Sequence, residues 1–208
     1  MYYQILDLSP LEIDLQYLLD IAEASYSDSN KWFYAEPEDI IEKIGKSRVF
    51  QDVEIEHSYI QEKILKKVTI PQGEVYSSFY KLPGNNGFSP IHVDGESCNI
   101  LIPLHDTENN AYVNWYKWPE NVRDLTEKDW ELYRLDWNKY PICEFSEDLP
   151  LVKTYYWKKG EAILLNTREP HSSYNYHSGY RINFVLNFYG ISFTEVLNNY
   201  LNGLLFKP

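Results

Sequence analysis

The sequence predicts a mainly β domain with flanking helices, built as a sandwich or jelly roll. Between residues 66 and 189 the apolar residues fall in short runs rich in β-branched and aromatic side chains, a composition that suits a half-buried pleated surface. Gly, Asn, Asp or Pro bounds each run, so turns rather than long crossover helices join the strands. Helical periodicity is confined to the two ends of the chain and to two short internal stretches. A chain of 208 residues builds one good core, and a single domain over 1–208 follows.

From the N-terminus, residues 9–24 open on Ser9-Pro10, and Leu11, Leu15, Leu18, Leu19 and Ala22 recur at helical spacing. A second helix is expected over 36–45, with Pro and acids in its first turn and Gly45 beyond its end. Residues 66–82 are β-rich but broken by Pro71-Gln72-Gly73, which reads as a hairpin, and 83–90 are dense in turn formers. Strands are then expected at 90–94, 98–104, 111–118, 151–157, 161–165 and 180–189. The stretch 119–150 differs, with Pro119, Pro141, Pro150, several acids and a helical pattern at 126–137. It reads as an insertion on a β scaffold, the usual place for a lid that sets specificity. A last helix over 192–206 is expected to pack by Phe193, Val196, Leu197, Tyr200 and Leu204.

The formal net charge of −12 repels a phosphate backbone, so nucleic acid is not an expected partner. Residues 1–20 mix acids into the apolar positions, so no signal peptide is expected there, and no run has the apolar length to span a bilayer. With Cys98 and Cys143 as the cysteines, both are expected as reduced thiols in a cytoplasmic protein with no membrane partner.

Of the five histidines, His92 alone has an acid two residues on, in Ser-Pro-Ile-His-Val-Asp-Gly. On a strand, residues i and i+2 share a face, so His92 and Asp94 would project toward one point. A third ligand must come from a neighbouring strand, and His171, in the turn-rich Glu-Pro-His-Ser-Ser-Tyr-Asn, is the candidate. Two His and one carboxylate form the facial triad of non-haem Fe(II) oxygenases. His105, at a strand end, and His177, in a Gly/Ser loop, are expected as non-ligands. Arg181 is the second residue of the strand Tyr-Arg-Ile-Asn-Phe-Val-Leu-Asn-Phe-Tyr, where it shares a face with Asn183, Val185 and Asn187. Alone, that strand reads as an apolar face on the core and an Arg face in water. Beside the His-x-Asp pair and the distal His, it reads as a guanidinium inside a barrel mouth, ready to grip a carboxylate.

These elements, in this order, resemble the signature of the Fe(II) and 2-oxoglutarate dependent dioxygenases: His-x-Asp, a distal His, and a basic residue about ten positions later. The resemblance spans residues 74–189 and implies a double-stranded β-helix, a form of jelly roll. It implies Fe(II) on His92, Asp94 and His171, with 2-oxoglutarate held by Arg181. Tyr80 and Asn99 match positions that line the cosubstrate pocket, and Asn183 stands where many members carry Ser or Thr. The implied activity is hydroxylation of a small molecule, amino acid or peptide by molecular oxygen, with 2-oxoglutarate converted to succinate and carbon dioxide. Two alternatives stay open. One is a cupin-like metal-dependent isomerase or oxygenase that does not use 2-oxoglutarate, and the other is a non-catalytic binding module.

Overall fold

Among the described residues, ten strands distribute themselves between two antiparallel sheets, and the order in which they do so defines the fold. The structure, a computed structural model, describes residues 1–27, 51–54, 57–85, 87–94, 96–119 and 149–207. The strands are β1 (Tyr3–Leu6), β2 (Gln51–Glu54), β3 (Glu74–Leu82), β4 (Gly87–His92) and β5 (Cys98–Pro103). They continue with β6 (Ala111–Tyr116), β7 (Leu151–Tyr156), β8 (Ala162–Leu165), β9 (His171–Asn175) and β10 (Arg181–Tyr189). One sheet has the order β1-β8-β5-β10-β3-β2, the other β4-β9-β6-β7. From β3 onward the chain changes sheet at every connection except β6 to β7. That interleaving is a double-stranded β-helix, the jelly roll expected from the sequence.

Both faces of the larger sheet are covered. Its outer face packs Phe79, Ile100, Ile102, Leu164, Ile182, Phe184 and Leu186 against Leu18 and Ala22 of helix α1 (Leu15–Ser27) and Val196 and Leu197 of helix α2 (Phe193–Leu201). Its inner face sends Leu101, Ile163, Leu165 and Val185 toward Val113, Trp115, Tyr155 and Trp157 of the smaller sheet and its border. Among the described residues, no helix is long and apolar enough to cross a membrane.

Several expectations need correction. The first helix starts at Leu15, not at residue 9: Ser9–Leu11 is a single 3-10 turn closed by Glu12 at φ 49°. Asp14 then accepts the Tyr17 amide at 3.0 Å and caps the true start. Residues 66–82 do not form a hairpin. Ile60–Ile64 and Leu65–Lys67 are helical, and Val68 bridges to Phe206. The C-terminal segment has taken the pairing partner a hairpin would need, so strand structure begins only at Glu74. His171 is not in a turn: Ser and Asn make 171–175 look like loop, but β4 and β6 pair with it on both sides, and such pairing overrides weak propensity. The last helix is capped by a Ser192–Glu195 box and stops at Leu201, after which Gly203 takes φ +69°. The reversal buries Leu205 in place of the expected Leu204, which is 61% exposed. Cys98 is a free, buried thiol. The helices expected at 36–45 and 126–137, Cys143, and nearly all of 119–150 lie outside the described residues.

Two left-handed glycines separate conformational strain from close approach. A Cβ on Gly73 (φ +87°) would sit 2.0 Å from the Tyr189 carbonyl oxygen, whereas one on Gly203 would meet nothing within 4 Å. Gly203→Ala should therefore lower stability by about 1–2 kcal/mol, the left-handed penalty alone. Gly73→Ala should cost clearly more. Urea unfolding of both variants measures the difference, and equal losses would refute the steric reading.

Candidate metal centre

The centre is built where β4 meets β9. Ser89 pairs with Ser173 and His92 with His171, so three steps along β4 match two along β9. This bulge places one extra residue in β4 and turns the His92 side chain toward His171. The two imidazole centroids are 4.4 Å apart. β4 ends at His92, so Asp94 is not carried to the site by strand alternation, as the sequence suggested. It sits in the following loop, where its amide donates to the Thr167 carbonyl at 2.9 Å.

Asp94 Oδ1 lies 3.2 Å from His92 Nε2, and Asp94 Oδ2 lies 3.6 Å from His171 Nε2. One ligand atom from each residue falls within 4.8 Å of the others. Two ligands at right angles, each about 2.1 Å from an ion, are about 3 Å apart, so the three donors suit a first-row divalent metal. The far side of each ring is occupied: His171 Nδ1 donates to the Glu169 carbonyl at 2.9 Å, and His92 Nδ1 is 3.2 Å from Ser89 Oγ. Such outer contacts fix the ring and the tautomer that presents Nε2.

Charge reinforces the geometry. Burial, with His92 alongside, pushes the His171 pKa down to about 4, so its ring is neutral, the ligand form. Burial works against the Asp94 charge, but His171 and His92 hold its carboxyl below the ordinary carboxylate range. Among the described residues, this is the one group of His, Cys, Asp and Glu able to hold a metal.

Arg181 is fully buried on the inner face of β10, so its face is not turned to water. Its Nη2 donates to Ser173 Oγ at 2.9 Å and its guanidinium lies 4.7 Å over the Trp157 ring. Nε and Nη1 have no hydrogen-bond partner among the described residues, and neither have Asn183 Oδ1 and Nδ2 or Asn99 Oδ1. Burial lowers the Arg181 pKa to about 10, which leaves it charged at neutral pH. Asn183 pairs in register with Tyr80, and Tyr80 is near enough to act on the charge of Arg181. Asn99 lies toward the other end of β10, opposite Asn187. His105 and His177 stand apart, Nδ1 of each accepting a backbone amide, from Ile182 and Gly179 respectively. Sequence reasoning missed Ser173, Trp157, Ser89 and Thr167. Ser173 was recoverable as the i+2 neighbour of His171, once 171–175 is seen as a strand; the others carry no sequence signal.

No protein-family model and no curated protein matches the sequence. Solved structures do resemble the fold. AviO1 from Streptomyces viridochromogenes Tue57 superposes with a TM-score of 0.50 at 14% identity, over 90% of this chain and 89% of AviO1. The non-heme alpha-ketoglutarate dependent carbocyclase SnoK from nogalamycin biosynthesis gives a TM-score of 0.51 at 10% identity, over 89% of this chain and 78% of SnoK. At these identities the likeness concerns the fold.

The depressed His171 pKa has a consequence for metal-free protein. Its folded value lies below the ordinary 6.5, so between about pH 6.5 and 4 the unfolded chain binds the proton that the folded chain refuses. Stability should fall as pH drops through that window, by up to roughly 3 kcal/mol from this residue. Chelator-treated wild type and His171→Leu, unfolded in urea at pH 7 and pH 4.5, test it. An equal pH dependence in the two proteins would contradict the assignment.

Proposed function

We propose that the protein is an Fe(II) and 2-oxoglutarate dependent oxygenase, with the metal on His92, Asp94 and His171 and the cosubstrate's distal carboxylate on Arg181. One observation carries the reading: a fully buried guanidinium without a described counter-ion shares the barrel interior with a His-Asp-His group. Burying an unpaired charge costs several kcal/mol, and a ligand carboxylate would remove that cost. The spacing agrees. Ser173, which touches Arg181, is two residues along β9 from His171, or about 7 Å. A five-carbon diacid is roughly 5 Å between its end carbons and roughly 7 Å between its outer oxygens, from bond lengths near ~1.5 and ~1.2 Å, so one such molecule would reach from the metal position to Arg181. When bound, Fe(II) and 2-oxoglutarate would supply dioxygen activation coupled to decarboxylation, the chemistry that hydroxylates a substrate carbon.

The chain's own residues then have separate tasks. His92, Asp94 and His171 would hold the ion. Arg181, backed by Ser173 and Trp157, orients the diacid, and Asn183, Tyr80 and Asn99 line its path. Trp115, Val113, Leu101 and Val185 exclude water from the adjoining interior. The fold shared with SnoK supports the reading. The substrate, on this proposal, is a small molecule, amino acid or peptide admitted at the metal end of a single domain.

The insertion would select it. Tyr116 pairs with Leu151, the Lys117 amide donates to the Pro150 carbonyl at 2.9 Å, and neighbouring Trp115 pairs with His171. The insertion therefore leaves and rejoins the smaller sheet beside the metal position. Because its ends are close, a short Gly/Ser linker can replace 120–148. Metal and 2-oxoglutarate affinities should change only a few-fold, while coupled substrate oxidation is lost. A loss of metal binding instead would make the segment part of the centre rather than its lid.

The cosubstrate assignment is tested by titrating Mn(II), as a redox-quiet stand-in, and then 2-oxoglutarate. Loss of a charge-assisted pair of about 1.5–3 kcal/mol corresponds to a roughly 10- to 100-fold rise in Kd. Arg181→Ala should show at least that, Arg181→Lys a smaller rise, and Mn(II) affinity should barely move. Wild type that binds Mn(II) but not 2-oxoglutarate would favour the cupin-like alternative.

A further inference from the structure

We propose that Thr167 and Glu96 are positioning residues that fix the Asp94 loop, so that its carboxylate stays at ligand distance from both histidines. The inference rests on the reading of His92, Asp94 and His171 as the metal ligands.

Asp94 needs such help because it follows the last residue of β4 and has no strand register of its own. Thr167, buried in the β8–β9 connection four residues before His171, supplies two hydrogen bonds. Its carbonyl accepts the Asp94 amide at 2.9 Å, and its hydroxyl donates to the Glu96 carbonyl at 2.7 Å. One residue thus binds the loop at positions 94 and 96 to the segment that delivers His171. The Glu96 side chain continues the attachment into the other sheet. Its Oε1 accepts from Tyr189 Oη at 2.6 Å and from Tyr76 Oη at 3.0 Å. Those hydroxyls are 2.8 Å apart, and their rings stack at 5.2 Å with 13° between planes. Tyr76 stands near the start of β3 and Tyr189 ends β10. The Ser97 amide, bonded to the Phe188 carbonyl at 3.3 Å, closes the loop onto the same strand. The result is a clamp from β8–β9 through the Asp94 loop to β3 and β10. A ligand whose backbone is already ordered does not have to be ordered by the metal.

The test uses Mn(II) binding, read by the electron paramagnetic resonance of the free ion, so it does not depend on activity. Thr167→Val removes the hydroxyl at nearly constant volume, while Thr167→Ser keeps it. The double variant Tyr76→Phe/Tyr189→Phe keeps the rings and removes both hydroxyls. Glu96→Gln keeps an acceptor oxygen and replaces the carboxyl group by a neutral amide. Thr167→Val and the Phe pair should each raise the Mn(II) Kd about 10- to 100-fold, the range seen when partners of metal ligands are lost. Thr167→Ser and Glu96→Gln should stay within about threefold of wild type, well short of that range. Hydrogen exchange at the Asp94 amide should quicken in Thr167→Val and not in Thr167→Ser. A merely structural role would lower the melting temperature of the chelator-treated variants and leave the Mn(II) Kd unchanged. That result, or a Glu96→Gln loss as large as that of the Phe pair, overturns the clamp. Wild type that binds no Mn(II) removes the metal centre and the clamp together, whereas wild-type binding with unaffected variants removes the clamp alone.

Discussion

Burial of β10 on both faces governs what its residues can be. The strand pairs with β3 on one side and β5 on the other, and helices cover its outer face. Its inner face carries Arg181, Asn183, Val185 and Asn187 in a space that water does not fill freely. Polar groups there require partners, because a desolvated donor or acceptor left unmatched costs about 1–3 kcal/mol. Asn187 finds one in Ser78, at 3.1 Å, and Arg181 finds part of one in Ser173. Two guanidinium nitrogens and both amide atoms of Asn183 find none among the described residues. Native interiors hold few such groups, and here they gather on one strand face, the face to which the proposed function assigns a polar ligand.

The crossing from β9 to β10 sets the scale of that place. His171 opens β9 in one sheet, and Arg181 opens β10 in the other after a five-residue return, 176–180. Asn175 closes the far end, its Nδ2 donating to the carbonyls of Leu82, Pro83 and Gly179. His171 and Arg181 are therefore set relative to each other by the register of β9 and β10 and the short return between them. Rigid elements of this kind keep reacting groups within the narrow tolerances that catalysis needs. The burial that keeps the His171 ring neutral for a metal is also the burial that penalises it when protonated, so ligation and acid sensitivity share one cause.

Much of this was legible in the sequence, for identifiable reasons. Strands β5 to β8 and β10 came out within a few residues because their β-branched and aromatic runs end at Gly, Asn or Pro. His92, Asp94, His171 and Arg181 stood out because their chemistry is rare at that order and spacing. What stayed hidden depends on contacts between distant segments. β9 is written in Ser, Tyr and Asn, and only its two neighbours make it a strand. The convergence of Asp94 on His92 was argued from strand alternation, whereas a bulge and a loop bond to Thr167 produce it. Nothing local announces that a threonine four residues before a histidine will hold an aspartate 73 positions earlier in the chain (167 − 94).

The charges of the centre bear on which ligand chemistry it would take. On the proposed function, a divalent ion offset by Asp94 would leave one positive charge in the interior, and Arg181 supplies a second. In a poorly hydrated space each needs its own compensation, since charge there is weakly screened. A neutral sugar or alcohol would leave both uncompensated, and a monocarboxylate would satisfy one and leave the other. A molecule with a carboxylate at each end, and a chain short enough to span about 7 Å between His171 and Ser173, satisfies both at once. The ordered partners of Arg181 make the same choice from the other direction: Ser173 and Trp157 hold one edge and one face of the guanidinium and leave Nε and Nη1 without a described partner. One of these, with the Nη2 hydrogen that Ser173 does not take, offers two parallel donors, which a carboxylate accepts and a single hydroxyl does not.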